Sequence, residues 1–186
     1  LREMFIEGLP LSAKPCKPVK LIDHLLPSKF GDLIIREYCP NQSSINSPIL
    51  YFHGGGYVFG GIESHDAWLQ FFSAEIGAKI FSLDYRLAPE NKFPSALQDA
   101  NHAIEWLGKK LNIQVKEISV CGDSAGGHLA TSLSTYRAIN KLELPKSQCL
   151  IYPMTDPKCD SKSHKDYANG FLLSHKAMIW FWEQLQ

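Results

Sequence analysis

The stretch ISVCGDSAGG, residues 118–127, decides the fold of this chain. Its first four residues are mostly apolar, as in a buried strand, and a helical pattern over 125–139 follows directly. Between the two lies Gly122-Asp123-Ser124-Ala125-Gly126-Gly127, and a G-x-S-x-G turn from a strand to a helix is typical of a nucleophile elbow. The pattern therefore predicts that Ser124 is a catalytic nucleophile at the positive end of a helix.

A glycine-rich turn in this place has other uses as well. It could bind a phosphate group at the helix N-terminus, or it could be no more than a tight connection. The stretch 122–127 has neither the lysine of a P-loop nor the glycine spacing of a dinucleotide-binding fingerprint. The nucleophile is therefore the favoured interpretation, and an anion site or a structural turn remains the alternative.

On both sides of this turn, short apolar runs alternate with helical patterns along the sequence. The runs 49–52, 80–83, 118–121 and 149–152 are predicted to be buried strands, and the more polar run 32–38 a strand at the sheet edge. Helical patterns cover 64–76, 95–110 and 125–139, and the aromatic-rich stretch 171–186 is predicted to be a helix over a pocket. Strands that alternate with helices need crossover connections. The sequence thus predicts an α/β fold, with a mostly parallel sheet and helices on both faces.

The motif His53-Gly54-Gly55-Gly56 follows the strand run 49–52. Three successive glycines let backbone N–H groups point into a cleft instead of into a sheet ladder. Acyl transfer needs such donors, because the substrate's carbonyl oxygen becomes an oxyanion when the serine attacks. In an elbow the N–H after the nucleophile, here that of Ala125, is a further donor. The alternative, a flexible glycine-rich loop, does not explain why this motif accompanies G-x-S-x-G.

These motifs make the chain similar to the hormone-sensitive-lipase-like branch of the α/β-hydrolases, which includes arylacetamide deacetylases and bacterial carboxylesterases. Three further stretches carry the likeness: Ser64-His65-Asp66, Asp84-Tyr85-Arg86-Leu87-Ala88-Pro89-Glu90, and Phe93-Pro94-Ser95-Ala96-Leu97 with Asp99 and Trp106-Leu107. The resemblance implies that Ser124 is the nucleophile. It also implies that the oxyanion donors are Gly55, Gly56 and Ala125. One departure is His128, where the family usually has Asn.

The resemblance also implies a domain organisation and an activity. Residues 1–186 would form one incomplete α/β-hydrolase domain, with an N-terminal cap segment at 1–30, a core at 31–156 and the start of a cap insertion at 157–186. The implied activity is carboxylesterase hydrolysis of small to medium acyl esters through an acyl-enzyme. An amidase or a deacetylase would use the same machinery, so both stay open. No metal and no organic cofactor is expected, because protein groups complete the chemistry.

The other two members of a catalytic triad are not recognisable in the chain. This fold has them in the order Ser…Asp…His, and the family has them after the cap segment. His53 is expected to order the oxyanion loop, His65 to help start a helix and His128 to lie beneath the site. The remaining histidines have no motif context: His24, His102, His164 and His175. We therefore expect a truncated chain that is almost inert alone, with strand 149–152 exposed at the sheet edge.

A non-catalytic binding protein on a hydrolase scaffold, as in the plant gibberellin receptors, is the alternative from another functional class. Such a protein can keep the serine and replace the histidine. The intact HGGG and GDSAGG motifs favour the enzyme.

The composition indicates which partners and which cellular compartment to expect. Nineteen basic and nineteen acidic side chains give zero net charge, so no nucleic-acid partner is expected, and the resemblance implies a small-molecule ester as the partner. The five cysteines, an odd number without metal-type spacing, favour a reducing compartment, and we expect a cytoplasmic protein. Charges within 1–11 argue against a secretory signal, and prolines and glycines within the uncharged run 38–62 argue against a transmembrane segment. The oligomeric state stays open.

Overall fold

The computed structural model describes residues 18–186, and within them one six-stranded sheet is flanked by helices. The strands are β1 (Val19–Leu26), β2 (Leu33–Pro40), β3 (Ile45–Phe52), β4 (Ala78–Leu83), β5 (Ser119–Asp123) and β6 (Ser147–Ile151). The helices are α1 (Ile62–Ile76), α2 (Ser95–Leu111), α3 (Ala125–Ile139), α4 (Lys162–Asp166) and α5 (His175–Leu185), with a 3₁₀ turn at Val115–Glu117. Each predicted strand and the three predicted central helices are confirmed, with ends that differ by a few residues.

The strand order of the sheet is β1-β2-β4-β3-β5-β6. Strands β4, β3, β5 and β6 are parallel, whereas β2 is antiparallel to both of its neighbours, β1 and β4. Helices α1, α2 and α3 lie in the three crossover connections between the parallel strands. The predicted mostly parallel sheet is therefore confirmed, and the carboxyl ends of its four parallel strands meet at one end of the sheet.

Helices cover both faces of the sheet, as predicted. Leu50 of β3 belongs to a core cluster with Leu107 of α2 and Leu133 of α3. The next residue, Tyr51, belongs to a second cluster with Leu69 of α1. The two strand residues reach different clusters because side chains alternate between the faces along a strand. Parallel strands need apolar cover on both faces, and these two clusters supply it.

Two predictions about the N-terminal third of the chain are wrong. The assignment of 1–30 to a cap segment does not hold for Val19–Leu26, because these residues form β1 and pair with β2. As a result β2, predicted at the sheet edge, lies inside the sheet between β1 and β4. Its polar side chains are tolerated there because they have partners across the strands. Arg36, for example, donates to the Asp23 carboxylate of β1 at 2.7 Å.

The C-terminal helix is shorter than predicted. The expected helix over 171–186 is found as α5, and residues 171–174 precede it. The Ser174 side chain accepts a hydrogen bond from the Ala177 N–H at 3.2 Å, so it caps the helix at this point.

The remainder of the predicted N-terminal cap segment, residues 1–17, lies outside the described residues. The stretch 1–11, for which no secretory signal was expected, also lies outside the described residues, and so does Cys16. The uncharged run 38–62 is divided among β2, β3 and the loop before α1. Among residues 18–186, no helix combines the length and the apolar character needed to cross a bilayer.

Strand β6 lies at the end of the sheet opposite to β1. In the described part of the chain it pairs with β5 alone, and its first four residues are exposed to solvent. The expected exposure of this strand is therefore confirmed, and the prediction that 149–152 is a buried strand is wrong for the described chain. A free strand edge of this kind can pair with further polypeptide.

The first turn of α3 lies so close to β3 that no side chain fits between them. A Cβ atom on Gly126 would overlap the carbonyl oxygen of Phe52, and a Cβ atom on Gly122 would overlap the backbone of Gly126. Neither glycine is among the positive-φ glycines of the described chain, so neither adopts a backbone conformation that is reserved for glycine. They are needed for close approach and not for a special turn conformation.

Replacing Gly126 with Ala is expected to destabilise the intact protein by about 1–3 kcal/mol or more, because β3 has to move to admit the methyl group. Chemical denaturation monitored by circular dichroism measures this change. Thr135→Ala, at an exposed position of the same helix, is the control and should stay within about 0.5 kcal/mol of the wild type. Equal stability of the two variants would contradict the close-approach argument.

Candidate active site

The predicted nucleophile stands on a strained turn between β5 and α3. Ser124 has φ 53° and ψ −114°, and a positive φ is uncommon for a residue with a side chain. The Ser124 N–H donates to the Ile151 carbonyl at 2.9 Å, and its carbonyl accepts the N–H groups of His128 and Met154 at 3.1 Å. A conformation of this kind costs about 1–3 kcal/mol, so the surrounding backbone has to impose it. The strand–turn–helix context predicted for Ser124 is therefore present.

Ala125 is the first residue of α3. N–H groups in the first turn of a helix have no partner within that helix. The helix dipole adds a partial positive charge at the same end. The backbone at Ala125 is thus suited to an anionic oxygen next to Ser124.

The HGGG loop, residues 53–56, leaves the sheet beside this turn. Phe52 at the end of β3 and Gly122 near the end of β5 are partners in adjacent strands. Gly55 and Gly56 then adopt φ 117° and 63°, values that glycine reaches without strain. The structure therefore brings both predicted motifs to one place, at the carboxyl ends of neighbouring parallel strands.

Hydrogen bonds hold the first half of the HGGG loop on three sides. The Tyr85 hydroxyl donates to the His53 carbonyl at 2.7 Å. The Gly54 N–H donates to the Asp123 carboxylate at 2.9 Å. The His53 Nδ1–H donates to the Gly54 carbonyl at 2.7 Å. The loop is thus fixed by the protein itself before any substrate is present.

The second half of the loop leaves two donors unused. The Gly55 carbonyl accepts the N–H groups of Val58 and Phe59 at 3.0 and 2.8 Å. Within residues 18–186, the N–H groups of Gly55 and Gly56 have no backbone acceptor outside regular helices and strands. Buried backbone donors are nearly always paired in native proteins. These two adjacent N–H groups therefore have no backbone partner among the described residues.

His53 orders this loop as a neutral side chain, in line with its expected role. Its ring is fully buried and stacks on Tyr85, with 4.3 Å between ring centroids. Burial, with a contribution from the nearby His65, lowers the pKa of His53 to about 4. Because the Gly54 carbonyl can only accept a hydrogen bond, the proton of the neutral ring is on Nδ1.

Asp123, within the elbow motif, was given no role by the sequence analysis. Its Oδ1 accepts hydrogen bonds from the Tyr51 hydroxyl at 2.7 Å and the Gly54 N–H at 2.9 Å, and it faces His65 Nε2 at 3.3 Å. Burial acts to raise the pKa of Asp123, but the hydrogen bonds and charge of these neighbours outweigh it and lower the pKa. The carboxylate is therefore ionised at neutral pH. An acidic residue at the end of a buried strand was the available signal.

Ser64, His65 and Asp123 form a line of contacts that looks like a catalytic triad. The Ser64 Oγ lies 2.8 Å from His65 Nδ1, and His65 Nε2 faces Asp123. The Ser64 hydroxyl, however, donates to the Gly61 carbonyl at 2.8 Å and accepts the Gly61 N–H at 3.0 Å. Ser64 is thus a helix cap at the start of α1. His65 lies in the first turn of that helix, where the sequence analysis expected it.

His128 is packed into the core side of α3. Its Nδ1 lies 2.7 Å from the Tyr57 hydroxyl, its ring meets Trp182 edge-on at 5.1 Å, and burial lowers its pKa. The other histidines have different partners: His24 contacts Glu37, His102 the Pro27 carbonyl, His164 Ser161 and His175 the Cys159 carbonyl. Within residues 18–186, none of these hydrogen bonds joins a histidine to Ser124 Oγ. No described histidine is therefore hydrogen-bonded to the Ser124 hydroxyl.

Helix α5 covers the HGGG loop with aromatic side chains. A Cβ atom on Gly56 would overlap the ring of Phe181, so this ring lies directly on the loop. Phe181 also meets Phe59 edge-on, with 5.6 Å between centroids, and Phe59 stacks on Trp180 at 6.1 Å. The space beside the two unused N–H groups is therefore bounded by an apolar wall.

Known proteins resemble this chain over most of its length. The sequence model of a family described as an α/β hydrolase fold matches residues 49–186. An ethyl acetate hydrolase of Pseudomonas putida is 36% identical over 192 residues, which cover 98% of this chain and 60% of that protein. An arylacetamide deacetylase of Bos taurus is 32% identical over 168 residues, which cover 83% of this chain and 42% of that protein.

A solved structure shows the same likeness in three dimensions. The hyperthermophilic esterase from the archaeon Pyrobaculum calidifontis has a TM-score of 0.87 and 33% identity, and the match covers 100% of this chain and 63% of that chain. The chain thus spans about three fifths of the length of the esterase and of the ethyl acetate hydrolase, at 63% and 60%.

The buried, neutral His53 is expected to make stability depend on pH. Its pKa is about 4 in the folded protein against an ordinary value of 6.5. The unfolded chain therefore binds more protons between these values, and the free energy of unfolding falls as the pH falls from about 6.5 to about 4. Integrated over this range, the His53 contribution is at most about 3 kcal/mol.

His53→Asn keeps an N–H donor near the Gly54 carbonyl but removes the titrating ring. Urea denaturation of the intact protein at pH 7 and pH 4.5 should show a smaller loss of stability for the variant than for the wild type. An equal loss in both proteins would show that His53 is not the titrating group.

Proposed function

The chain belongs to the α/β-hydrolase fold family, and we propose that the intact protein is a serine hydrolase of carboxylic esters with Ser124 as its nucleophile. The observation that carries the proposal is the meeting of two loops at one end of the sheet. One presents Ser124 on a strained turn, and the other offers the N–H groups of Gly55 and Gly56. Two of its relatives, an ethyl acetate hydrolase and an esterase, support the same reaction.

The first chemical step is the attack of Ser124 Oγ on the ester carbonyl carbon. The hydroxyl proton passes to a base, and the carbonyl oxygen becomes the oxyanion of a tetrahedral intermediate. The N–H groups of Gly55, Gly56 and Ala125 donate to this oxyanion. Loss of one such donor typically costs on the order of 10²–10³ in rate. The base then returns the proton to the leaving oxygen, and collapse of the intermediate expels the neutral alcohol and leaves an acyl-enzyme. Water hydrolyses the acyl-enzyme to release the acid and restore Ser124.

The base and the acid of the triad are proposed to come from a part of the intact protein that lies outside this sequence. The chain spans 60% of the ethyl acetate hydrolase, and this fold has the acid and the histidine after the serine. In subtilisin, loss of the triad histidine costs on the order of 10⁶ in turnover. The isolated chain is therefore expected to be almost inert.

The proposed substrates are esters of small to medium acyl groups. The ring of Phe181 against Gly56 limits the space beside the oxyanion donors, and one relative is named for ethyl acetate. Residues 157–186 are assigned to the start of a cap over this space, and 31–156 with β1 to the core. An amide is the second candidate substrate, because another relative is named an arylacetamide deacetylase.

The proposal needs a small-molecule ester as its partner and involves no metal or organic cofactor. Within residues 18–186, no three metal-binding side chains form a group. The cysteines described there carry free thiols: Cys39, Cys121, Cys149 and Cys159. A reducing compartment and a cytoplasmic location remain predictions.

A fluorophosphonate probe is expected to label the intact protein at Ser124, because an activated serine attacks the phosphorus atom and displaces fluoride. Ser124→Ala should abolish labelling, as measured by intact mass and peptide mapping. Ser64→Ala is the matched control and should be labelled normally, because the Ser64 hydroxyl caps a helix. Absence of labelling in the folded intact protein would contradict the esterase proposal and favour a non-catalytic binding protein.

The kcat/KM for p-nitrophenyl acetate or butyrate is expected to exceed that for the palmitate ester by at least about tenfold, because the wall at Phe181 excludes long chains. Phe181→Ala should reduce this preference. Phe171→Ala removes an aromatic ring of the same segment that is 60% exposed, and it should leave the preference unchanged. Faster turnover of the palmitate ester by the wild type would show that the pocket is open.

A further inference from the structure

The side chain of Asp123 joins the two loops of the proposed active site. It leaves the end of β5 one residue before Ser124, and its Oδ1 accepts the Gly54 N–H of the HGGG loop at 2.9 Å. We propose that Asp123 is a positioning residue that holds the oxyanion donors in register with Ser124 without touching the substrate. This inference rests on the proposed esterase function and adds a determinant of its rate.

The geometry of the peptide planes shows why Gly54 matters. The plane between His53 and Gly54 is held at both ends, since its carbonyl accepts the Tyr85 hydroxyl at 2.7 Å and its N–H donates to Asp123. The next plane contains the Gly54 carbonyl, held by His53 Nδ1 at 2.7 Å, and the N–H of Gly55. Because each plane is rigid, the contact with Asp123 lies one Cα atom away from the first proposed oxyanion donor.

The contact between Asp123 and Gly54 is tight. A Cβ atom on Gly54 would overlap the Asp123 carboxylate. Gly54 is not among the glycines with positive φ, unlike Gly55 and Gly56. The first glycine of the HGGG motif is therefore required for the approach of the carboxylate, and the next two for the course of the loop.

The surroundings of Asp123 call for a carboxylate and not an amide. Two hydrogen-bond donors converge on one oxygen, the Gly54 N–H and the Tyr51 hydroxyl at 2.7 Å, and His65 Nε2 lies 3.3 Å from the same oxygen. An ionised carboxylate only accepts hydrogen bonds, and bonds to it are roughly twice as strong as bonds between neutral groups. An Asn at this position keeps the shape of the side chain but weakens all three contacts at once, so the HGGG loop is held less firmly.

The test compares wild type and Asp123→Asn in the intact protein, with two measurements. The first is kcat and KM for p-nitrophenyl acetate. The second is the inhibition constant of a trifluoromethyl ketone. Ser124 Oγ adds to the ketone carbon, its proton passes to the base, and the carbonyl oxygen becomes an oxyanion, so the adduct imitates the tetrahedral intermediate.

Misplaced oxyanion donors weaken the adduct and the transition state but not the bound ester. For Asp123→Asn we expect kcat to fall by about tenfold to a hundredfold, less than complete loss of a donor produces. KM should stay within about threefold, and the inhibition constant should rise by about the same factor as kcat falls. If Asp123 had a purely structural role, the substitution would lower the amount of folded protein, and the folded fraction would keep the wild-type kcat, KM and inhibition constant.

Asp66→Asn is the matched control. Like Asp123, the Asp66 carboxylate on α1 accepts a hydrogen bond from a tyrosine, the Tyr38 hydroxyl at 3.0 Å. It also accepts one from the Arg36 guanidinium at 3.1 Å. No hydrogen bond joins it to the HGGG loop or the elbow in the described chain. Its loss should lower thermal stability but leave kcat and the inhibition constant within about twofold of the wild type, because no oxyanion donor moves.

Two outcomes would overturn the proposal. One is a folded Asp123→Asn protein whose kcat and inhibition constant stay within about twofold of the wild type. A change this small is less than the rate loss that follows when an oxyanion donor is removed. If that variant does not fold, Tyr51→Phe decides, because it removes one of the two hydrogen bonds to Asp123 and leaves the Gly54 contact in place. It should lower kcat and ketone affinity in parallel by about threefold to tenfold, and unchanged values overturn the proposal.

Labelling by the fluorophosphonate separates this proposal from the proposed function. A folded wild type that is not labelled contradicts the esterase function and the positioning role together. A wild type that is labelled and active, with Asp123→Asn unaffected, contradicts the positioning role alone.

Discussion

Everything at the candidate site depends on one contact between two backbones, where the first turn of α3 lies on the carbonyl end of β3. The contact exists because Gly126 has no side chain to separate the helix from the Phe52 carbonyl. It forces the chain through the strained turn at Ser124 and brings that residue beside the HGGG loop. Glycine and strain both oppose folding by roughly 1 kcal/mol or more each, and burial in the two core clusters offsets them.

Around this contact, a buried polar network keeps the HGGG loop in one position. The neutral ring of His53, the hydroxyl of Tyr85 and the carboxylate of Asp123 each hold a different polar group of its backbone. Hydrogen bonds are stronger in a site of low dielectric constant, and a satisfied network makes the backbone rigid. Donors fixed in this way need no rearrangement when charge develops on a substrate oxygen, which is the physical basis of oxyanion stabilisation.

The elements that could be predicted from the sequence are those with a strong local pattern. Strands β3 to β6 and helices α1 to α3 were predicted because uninterrupted apolar runs and helical periodicity are local properties. Strand β1 was missed because the resemblance assigned 1–30 to a cap segment, and β2 was placed at the edge because of its polar residues. In the structure, Arg36 of β2 is paired with Asp23 of β1. A cross-strand pair of this kind makes a polar strand stable inside a sheet, and nothing local in the sequence announces it.

The sequence by itself determined the strand–turn–helix unit that carries Ser124 and the presence of a glycine loop after β3. Both follow from steric limits within a few residues, which only certain residue types satisfy. The tertiary structure alone decided that Asp123 holds Gly54, 69 residues away along the chain, and that Phe181 covers Gly56. These contacts require β5 to lie next to β3 and α5 to fold back over their ends. Strand order and helix docking depend on the packing of the whole core, so no short stretch of sequence contains them.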